Sequence, residues 1–116
     1  MSDKIKTGNK GEAIAANFLR TKGFEILVRN FRHKRVEIDL IAKRNDWVIF
    51  VEVKTRSSNA YGEPEEFVDY QKTNNIFEAA EEWIYANDWH GHIRFDIISV
   101  KLGKEPVVEH FEDAIN

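Results

Sequence analysis

Two strand-like runs, Val36–Ala42 and Trp47–Thr55, stand only four polar residues apart (Lys43-Arg44-Asn45-Asp46), and this pair constrains the fold most. Both runs are rich in β-branched and aromatic residues, which suit a pleated, half-buried surface. So short a connection joins neighbouring antiparallel strands, so a hairpin is expected. Alternation then assigns faces. Val36, Ile38, Leu40 and Ala42 share one face of the first strand, and Glu37, Asp39 and Ile41 the other. In the second strand Trp47, Ile49, Val51 and Val53 share one face, and Val48, Phe50, Glu52 and Lys54 the other. A hairpin closing around Asn45–Asp46 pairs residues whose numbers sum to 91, which sets Asp39 opposite Glu52. A sum of 89 sets Glu37 opposite Glu52 and leaves Asp39 on the diagonal. Either register brings Asp39, Glu52 and Lys54 within side-chain reach on one face.

Two carboxylates facing each other across strands repel, and Val48, Phe50, Val51 and Val53 mark the second strand as buried on both sides. A hard divalent cation, Mg²⁺ or Mn²⁺, would compensate, because such ions bind one or two carboxylates together with waters and phosphate oxygens. A lysine beside them can orient a water or stabilise charge on a phosphoryl group. Two carboxylates, a nearby backbone carbonyl and a lysine therefore suit metal-assisted phosphodiester hydrolysis. A Glu-x-Lys pair alone has a plainer explanation, an ion pair on a solvent-facing strand.

The rest of the chain supplies layers for this hairpin. Residues 9–22 have helical periodicity through Ile14, Ala15, Phe18 and Leu19, with Asn9 as N-cap and Gly23 as terminator. Residues 1–7 are expected to form a flexible tail. Phe24–Val28 is a short strand, and residues 56–64 read as a loop. A second helix spans Tyr70–Ala86, capped by Asp69, with Ile76, Ala79, Ala80, Trp83 and Ile84 on one stripe. Ile93–Val100 and Val107–Phe111 are further strands, the last at an edge. The order α-β-β-β-α-β-β gives one α/β sandwich domain with a mixed sheet. Glu12 lies on the core-facing stripe of the first helix with Ala15, Ala16 and Leu19, where it can reach the charged face of the sheet. Favourable placement near the helix dipole would also explain it. Lys72, one turn before Ile76, either reaches the same site or snorkels to solvent.

With no cysteines, disulfides and thiolate metal sites are excluded, and a reducing cytoplasm is the expected compartment. No apolar run approaches the roughly 18 residues of a membrane span. The net charge is −3, yet residues 1–58 hold 13 Lys/Arg and 7 Asp/Glu, while residues 59–116 hold 4 and 13. One basic and one acidic face follow. The densest basic stretch, Arg29, Arg32, Lys34 and Arg35 around His33, is either a solvated loop between strands or an edge that contacts phosphates. Asp96 reads as an ion-pair or hydrogen-bonding partner of Arg94 within the sheet. His33, His90, His92 and His110 lack metal-ligand spacing, with His90-Gly91-His92 in a loop. Trp83, Tyr85 and Trp89 read as packing residues.

Gly11-Glu12, then Glu37-Ile38-Asp39-Leu40-Ile41-Ala42, then Val51-Glu52-Val53-Lys54-Thr55-Arg56, then Arg94-Phe95-Asp96 together resemble the YraN-like family. That small bacterial family belongs to the PD-(D/E)XK nuclease superfamily and is similar to archaeal Holliday-junction resolvases. The resemblance covers about residues 8–111 and implies a restriction-endonuclease-like fold. It implies Asp39, Glu52 and the Val53 carbonyl as metal ligands, Lys54 as the catalytic lysine, and Glu12 as an auxiliary ligand or water-holding acid. The implied activity is Mg²⁺- or Mn²⁺-dependent cleavage of DNA, branched or single-stranded DNA included and RNA not excluded. Arg29, Arg32, Lys34, Arg35, Arg56 and Lys72 would hold the backbone, and a homodimer would serve a two-strand substrate. A non-cleaving nucleic-acid-binding or protein-interaction module on the same fold is the rival expectation. The sequence departs from the family pattern in having Val36 where glycine is common, and a single lysine at the start of the second helix.

Overall fold

A computed structural model describes residues 3–57 and 70–115, apart from the side chains of residues 3–7 and 70–73. The elements run α1 (Asp3–Thr21), β1 (Glu25–His33), β2 (Val36–Arg44), β3 (Trp47–Arg56), α2 (Tyr70–Ala86), β4 (His92–Lys101) and β5 (Val107–Phe111). The five strands form one sheet in the order β1-β2-β3-β4-β5. All neighbouring pairs are antiparallel except β3 and β4, which are parallel and joined by the crossover that contains α2. The sheet is therefore mixed, and β5 is an edge strand, as expected.

Each face of the sheet buries one helix. Ala15, Ala16 and Leu19 of α1 pack with Leu40, Ala42, Ile49, Val51, Ile98 and Val100. Ile76, Ala79, Ala80 and Trp83 of α2 pack on the other side with Ile41, Val48, Phe50 and Ile97. Small alanines on both helices allow the backbones to approach the sheet closely. Gly23 ends α1 at φ 90°, with Gly23 N–H donating to Arg20 O and Phe24 N–H to Leu19 O, both at 3.0 Å. This is the hydrogen-bond pattern of a left-handed helix terminus.

Four expectations need correction. α1 begins at Asp3, so Asn9 lies inside the helix and residues 3–7 belong to it. No proline or strong stop signal separates Asp3 from Asn9, and the tertiary contacts of the later turns carry the earlier ones. β1 continues through Arg29–His33, so the basic stretch is strand, with only Lys34–Arg35 forming the turn. Phe31 pays for that extension by packing on the α2 cluster. Tyr85 is 86% exposed, because it falls outside the stripe that buries Ile76, Ala80 and Trp83. Residues 58–69, with the expected loop and the Asp69 cap, lie outside the described residues.

The fourth correction concerns faces. β3 alternates as expected, Ile49 and Val51 toward α1, Val48 and Phe50 toward α2. β2 does not. Leu40 and Ala42 pack on the α1 side, but Ile38 and Val36 join Ile41 on the α2 side. β1 changes sides at the same level, since Val28 and Phe31 both pack with the α2 cluster. Val28 pairs with Ile41 and Phe31 with Ile38, so the residues between them, Arg29–Asn30 and Asp39–Leu40, absorb the switch on both strands. Asn30 has φ 56° at this point.

Asp96 is completely buried beside the α1 core. It accepts two hydrogen bonds from Arg94, at 2.9 Å each, one from the Asp113 N–H at 2.9 Å, and one from His110 Nε2 at 2.7 Å. Lys22 Nζ lies 3.0 Å from His110 Nδ1. An ammonium can only donate, so Nδ1 accepts and Nε2 carries the proton toward Asp96. Burial works to raise the Asp96 pKa, but His110, Arg94 and the Asp113 amide together hold it below the usual value. Asp96 is thus a structural acceptor, as read from the sequence. Its contribution to stability is complete above its unfolded value of about 3.8 and is lost as pH falls through the lower folded value. Asp96→Ala strands Arg94 and His110 without their acceptor and is expected to destabilise the fold by about 3–5 kcal/mol in urea unfolding at pH 7. A loss under about 1 kcal/mol would contradict this role.

Candidate metal centre

The hairpin adopts the register whose sum is 91, from Arg44 opposite Trp47 to Leu40 opposite Val51. One step further lie Asp39 and Glu52. There the backbone ladder stops, and the Asp39 carboxylate takes over: Val53 N–H donates to Asp39 Oδ2 at 2.7 Å. In an extended strand the N–H and C=O of one residue leave by the same edge. The Val53 carbonyl is therefore turned toward Asp39 as well.

Because β1 and β2 switch sides here, Asp39 meets α1. Carboxylate oxygens of Glu12, Glu37 and Asp39 come within 4.8 Å of one another. Glu12 arrives through a close contact one residue earlier. A Cβ on Gly11 would collide with Thr55 Oγ1 and would stand 2.6 Å from Thr55 Cγ2 and 2.7 Å from its Cβ. Only glycine lets α1 lie this close to β3, and the contact delivers Glu12 to the end of β2. On β3 itself, Lys54 Nζ is 3.0 Å from Glu52 Oε1, with side chains only 18% and 14% exposed. Glu52 and Glu37 also line one narrow crevice with Ile38 and Phe50.

Electrostatics reflect the crowding. Burial is the main influence on Asp39, and the negative charges of Glu12 and Glu52 add to it, while the Val53 amide opposes them; the result pushes the carboxyl up to about 7. The donors are all carboxylate or carbonyl oxygens, a set that fits Mg²⁺ or Mn²⁺ and not a thiophilic ion.

Of the residues singled out from sequence, Glu12 and Asp39 come together directly, Glu52 and Lys54 are paired on the adjacent strand, and the Val53 backbone links the two groups. Arg32 lies 3.1 Å from Glu37, and Lys34 lies 2.9 Å from Glu78 of α2. Arg29 and Arg35 are exposed, whereas Arg56 is half-buried at the end of β3. The backbone of Lys72 lies in α2, and its side chain falls outside the described set. Glu37 joins this group although the sequence reading did not single it out as a site residue; the signal was its place as the second acid on the Asp39 face.

Two substitutions test this geometry. Gly11→Ala is expected to cost about 1–3 kcal/mol through overpacking against Thr55. Gly8→Ala, in open space on the same helix, should stabilise by about 0.5–1 kcal/mol. Equal effects at the two positions in urea unfolding would refute the close contact. Asp39 has a folded pKa raised from 3.8 to about 7, so its charge weighs against folding increasingly as pH climbs between those values. Asp39→Asn should therefore stabilise the metal-free protein by about 1–3 kcal/mol at pH 8.5, with the gain fading near pH 4. A destabilised variant at pH 8.5 would contradict the shift.

Comparison with known proteins places the chain. Residues 11–100 match the model of "Uncharacterised protein family UPF0102". A UPF0102 protein of Rhodococcus opacus is 40% identical over 117 residues, covering 98% of this chain and 99% of its own length. One from Flavobacterium psychrophilum is 43% identical, covering 98% and 97%. One from Cytophaga hutchinsonii is 44% identical, covering 90% and 93%. The chain belongs to the UPF0102 family.

Proposed function

We propose that this UPF0102 protein is a divalent-metal-dependent nuclease that hydrolyses phosphodiester bonds in DNA, branched or junction DNA among its substrates. The observation that supports it best is Asp39, a mostly buried carboxylate pushed to a pKa of about 7 among Glu12, Glu37 and Glu52. A Mg²⁺ or Mn²⁺ ion at Asp39 would neutralise this charge and polarise a phosphodiester. Asp39, Glu52 and the Val53 carbonyl are the residues to hold it, with Glu12 beside them. Lys54, fixed by Glu52, presents an ammonium that orients the attacking water and balances charge building on the phosphoryl oxygens. Arg29, Arg32, Lys34 and Arg35 lie together on β1 and its turn, where they would follow the phosphate backbone, and Arg56 and Lys72 would extend that contact. A two-strand substrate would take a second copy of the chain.

A non-cleaving module is the second reading. It is favoured by the way Glu78 of α2 draws Lys34 into an ion pair beside His33. Among the described residues no helix is long and apolar enough to cross a membrane.

The test is to incubate the purified protein with junction, single-stranded and duplex DNA, and with RNA, in Mn²⁺. Asp39→Ala and Lys54→Ala are each expected to lower cleavage by at least about 100-fold. Cleavage undiminished in both variants would defeat the assignment. DNA binding with neither cleavage nor metal binding would establish the module instead, and cleavage of RNA alone would change the substrate.

A further inference from the structure

Five non-glycine residues among those described have positive φ: Asn30, Lys34, Asn45, Asp88 and Asp113. Four of them sit in turns, at the two hairpin tips, after α2 and after β5. Asn30 alone lies inside a strand. A left-handed residue there breaks the regular pleat, and its neighbours show the consequence. Val28 and Phe31, three residues apart, pack on the same side of the sheet, as do their partners Ile41 and Ile38. Asn30 and Asp39 fall between the pairs Arg29–Leu40 and Phe31–Ile38, where the β1–β2 pairing keeps one register; the register shift in β1 lies nearer its start, between Ile26 and Val28.

The side chain points to the same place as the backbone. With its amide nitrogen turned to the acids, Asn30 donates to Glu12 Oε1 at 3.1 Å, to Glu12 Oε2 at 3.2 Å and to Glu37 Oε1 at 2.9 Å. Carboxylates can only accept when ionised, so the surroundings select this orientation over the reverse. One amide group thus bridges the helix-borne acid and the strand-borne acid. Asparagine combines both requirements: it tolerates the left-handed region and carries a two-hydrogen donor on a short stem. Neither lysine nor serine at this position would do both.

We propose that Asn30 is a positioning residue of the carboxylate site: its left-handed backbone turns Asp39 and Glu37 toward α1, and its amide sets the spacing between Glu12 and Glu37 for a divalent cation. This rests on the metal-site reading given above and assigns a role to a residue outside the Glu-Ile-Asp and Glu-Val-Lys segments. Groups that hold ligating carboxylates in place typically change metal affinity by roughly 10–100-fold when removed.

Asn30→Gly separates the two contributions, because glycine keeps the backbone conformation without strain and removes only the amide. Asn45→Gly makes the same change at the β2–β3 tip, away from the acids, and reports the backbone effect alone. Mn²⁺ binding to the full-length protein is measured by calorimetry, with urea unfolding of each metal-free variant alongside. Asn30→Gly is expected to weaken Mn²⁺ binding by about 10-fold or more while still unfolding cooperatively, and Asn45→Gly to bind as the wild type does. Wild-type affinity in Asn30→Gly, within about twofold, would overturn the proposal and leave the metal site standing. Failure of the wild type itself to bind millimolar Mn²⁺ would remove the metal site and this inference with it.

Discussion

The hydrogen bond from the Val53 amide to the Asp39 carboxylate is the hinge of this molecule. It stands where the β2–β3 ladder would otherwise continue, and it replaces a neutral backbone acceptor by a charged one. That substitution lets the strands part without leaving a buried N–H unpaired. It also fixes Asp39 at the junction of α1, β2 and β3. Glu12 comes from the helix, Glu37 from the same strand, and Glu52 and Lys54 from the next. The hydrophobic layers on either side serve this junction: α1 can approach it only because Gly11 lies flat on Thr55.

The concentration of charge carries a thermodynamic cost in the metal-free protein. Several carboxylates share a partly buried corner, and burial among them pushes the Asp39 carboxyl up to about 7. Elsewhere a buried acid is treated quite differently. Asp96 lies deeper than Asp39 yet stays ionised, because Arg94, His110 and the Asp113 amide saturate it. The contrast separates the two roles. A structural carboxylate is surrounded by donors, whereas Asp39 receives one backbone donor and faces other acids.

Much of this was legible in the sequence, and for physical reasons. The hairpin followed from a four-residue polar connection, and of the two registers it allowed, the one closing around Asn45–Asp46 forms. The α2 stripe and the alternation of β3 were strong periodic signals, and the helix and strand buried the residues they marked. What failed was the assumption of unbroken alternation in β2. Leu40 and Ala42 face α1 while Ile38 and Val36 face α2, level with the left-handed Asn30 on the neighbouring strand, and neither strand's own periodicity records the change. The acids follow the change: Glu37 and Asp39 meet Glu12 of α1, and Glu52 still acts on Asp39 from the next strand. The basic stretch, open in the sequence between a loop and a phosphate-contacting edge, is mostly strand; its charges mask Phe31, the residue that fastens it to the α2 side. The long-range partner of Asp96, His110, depends on β4–β5 pairing and has no local signature.

The central claim is that the acids around Asp39 form a cation site. The most direct measurement is a crystal of the full-length chain soaked in millimolar Mn²⁺ and examined by anomalous diffraction. The account predicts a manganese peak with octahedral oxygen ligation that includes Asp39, at distances near the roughly 2.0–2.2 Å typical of such hard ions. Absence of any peak at Asp39, or a peak bound only by surface carboxylates elsewhere, would contradict it.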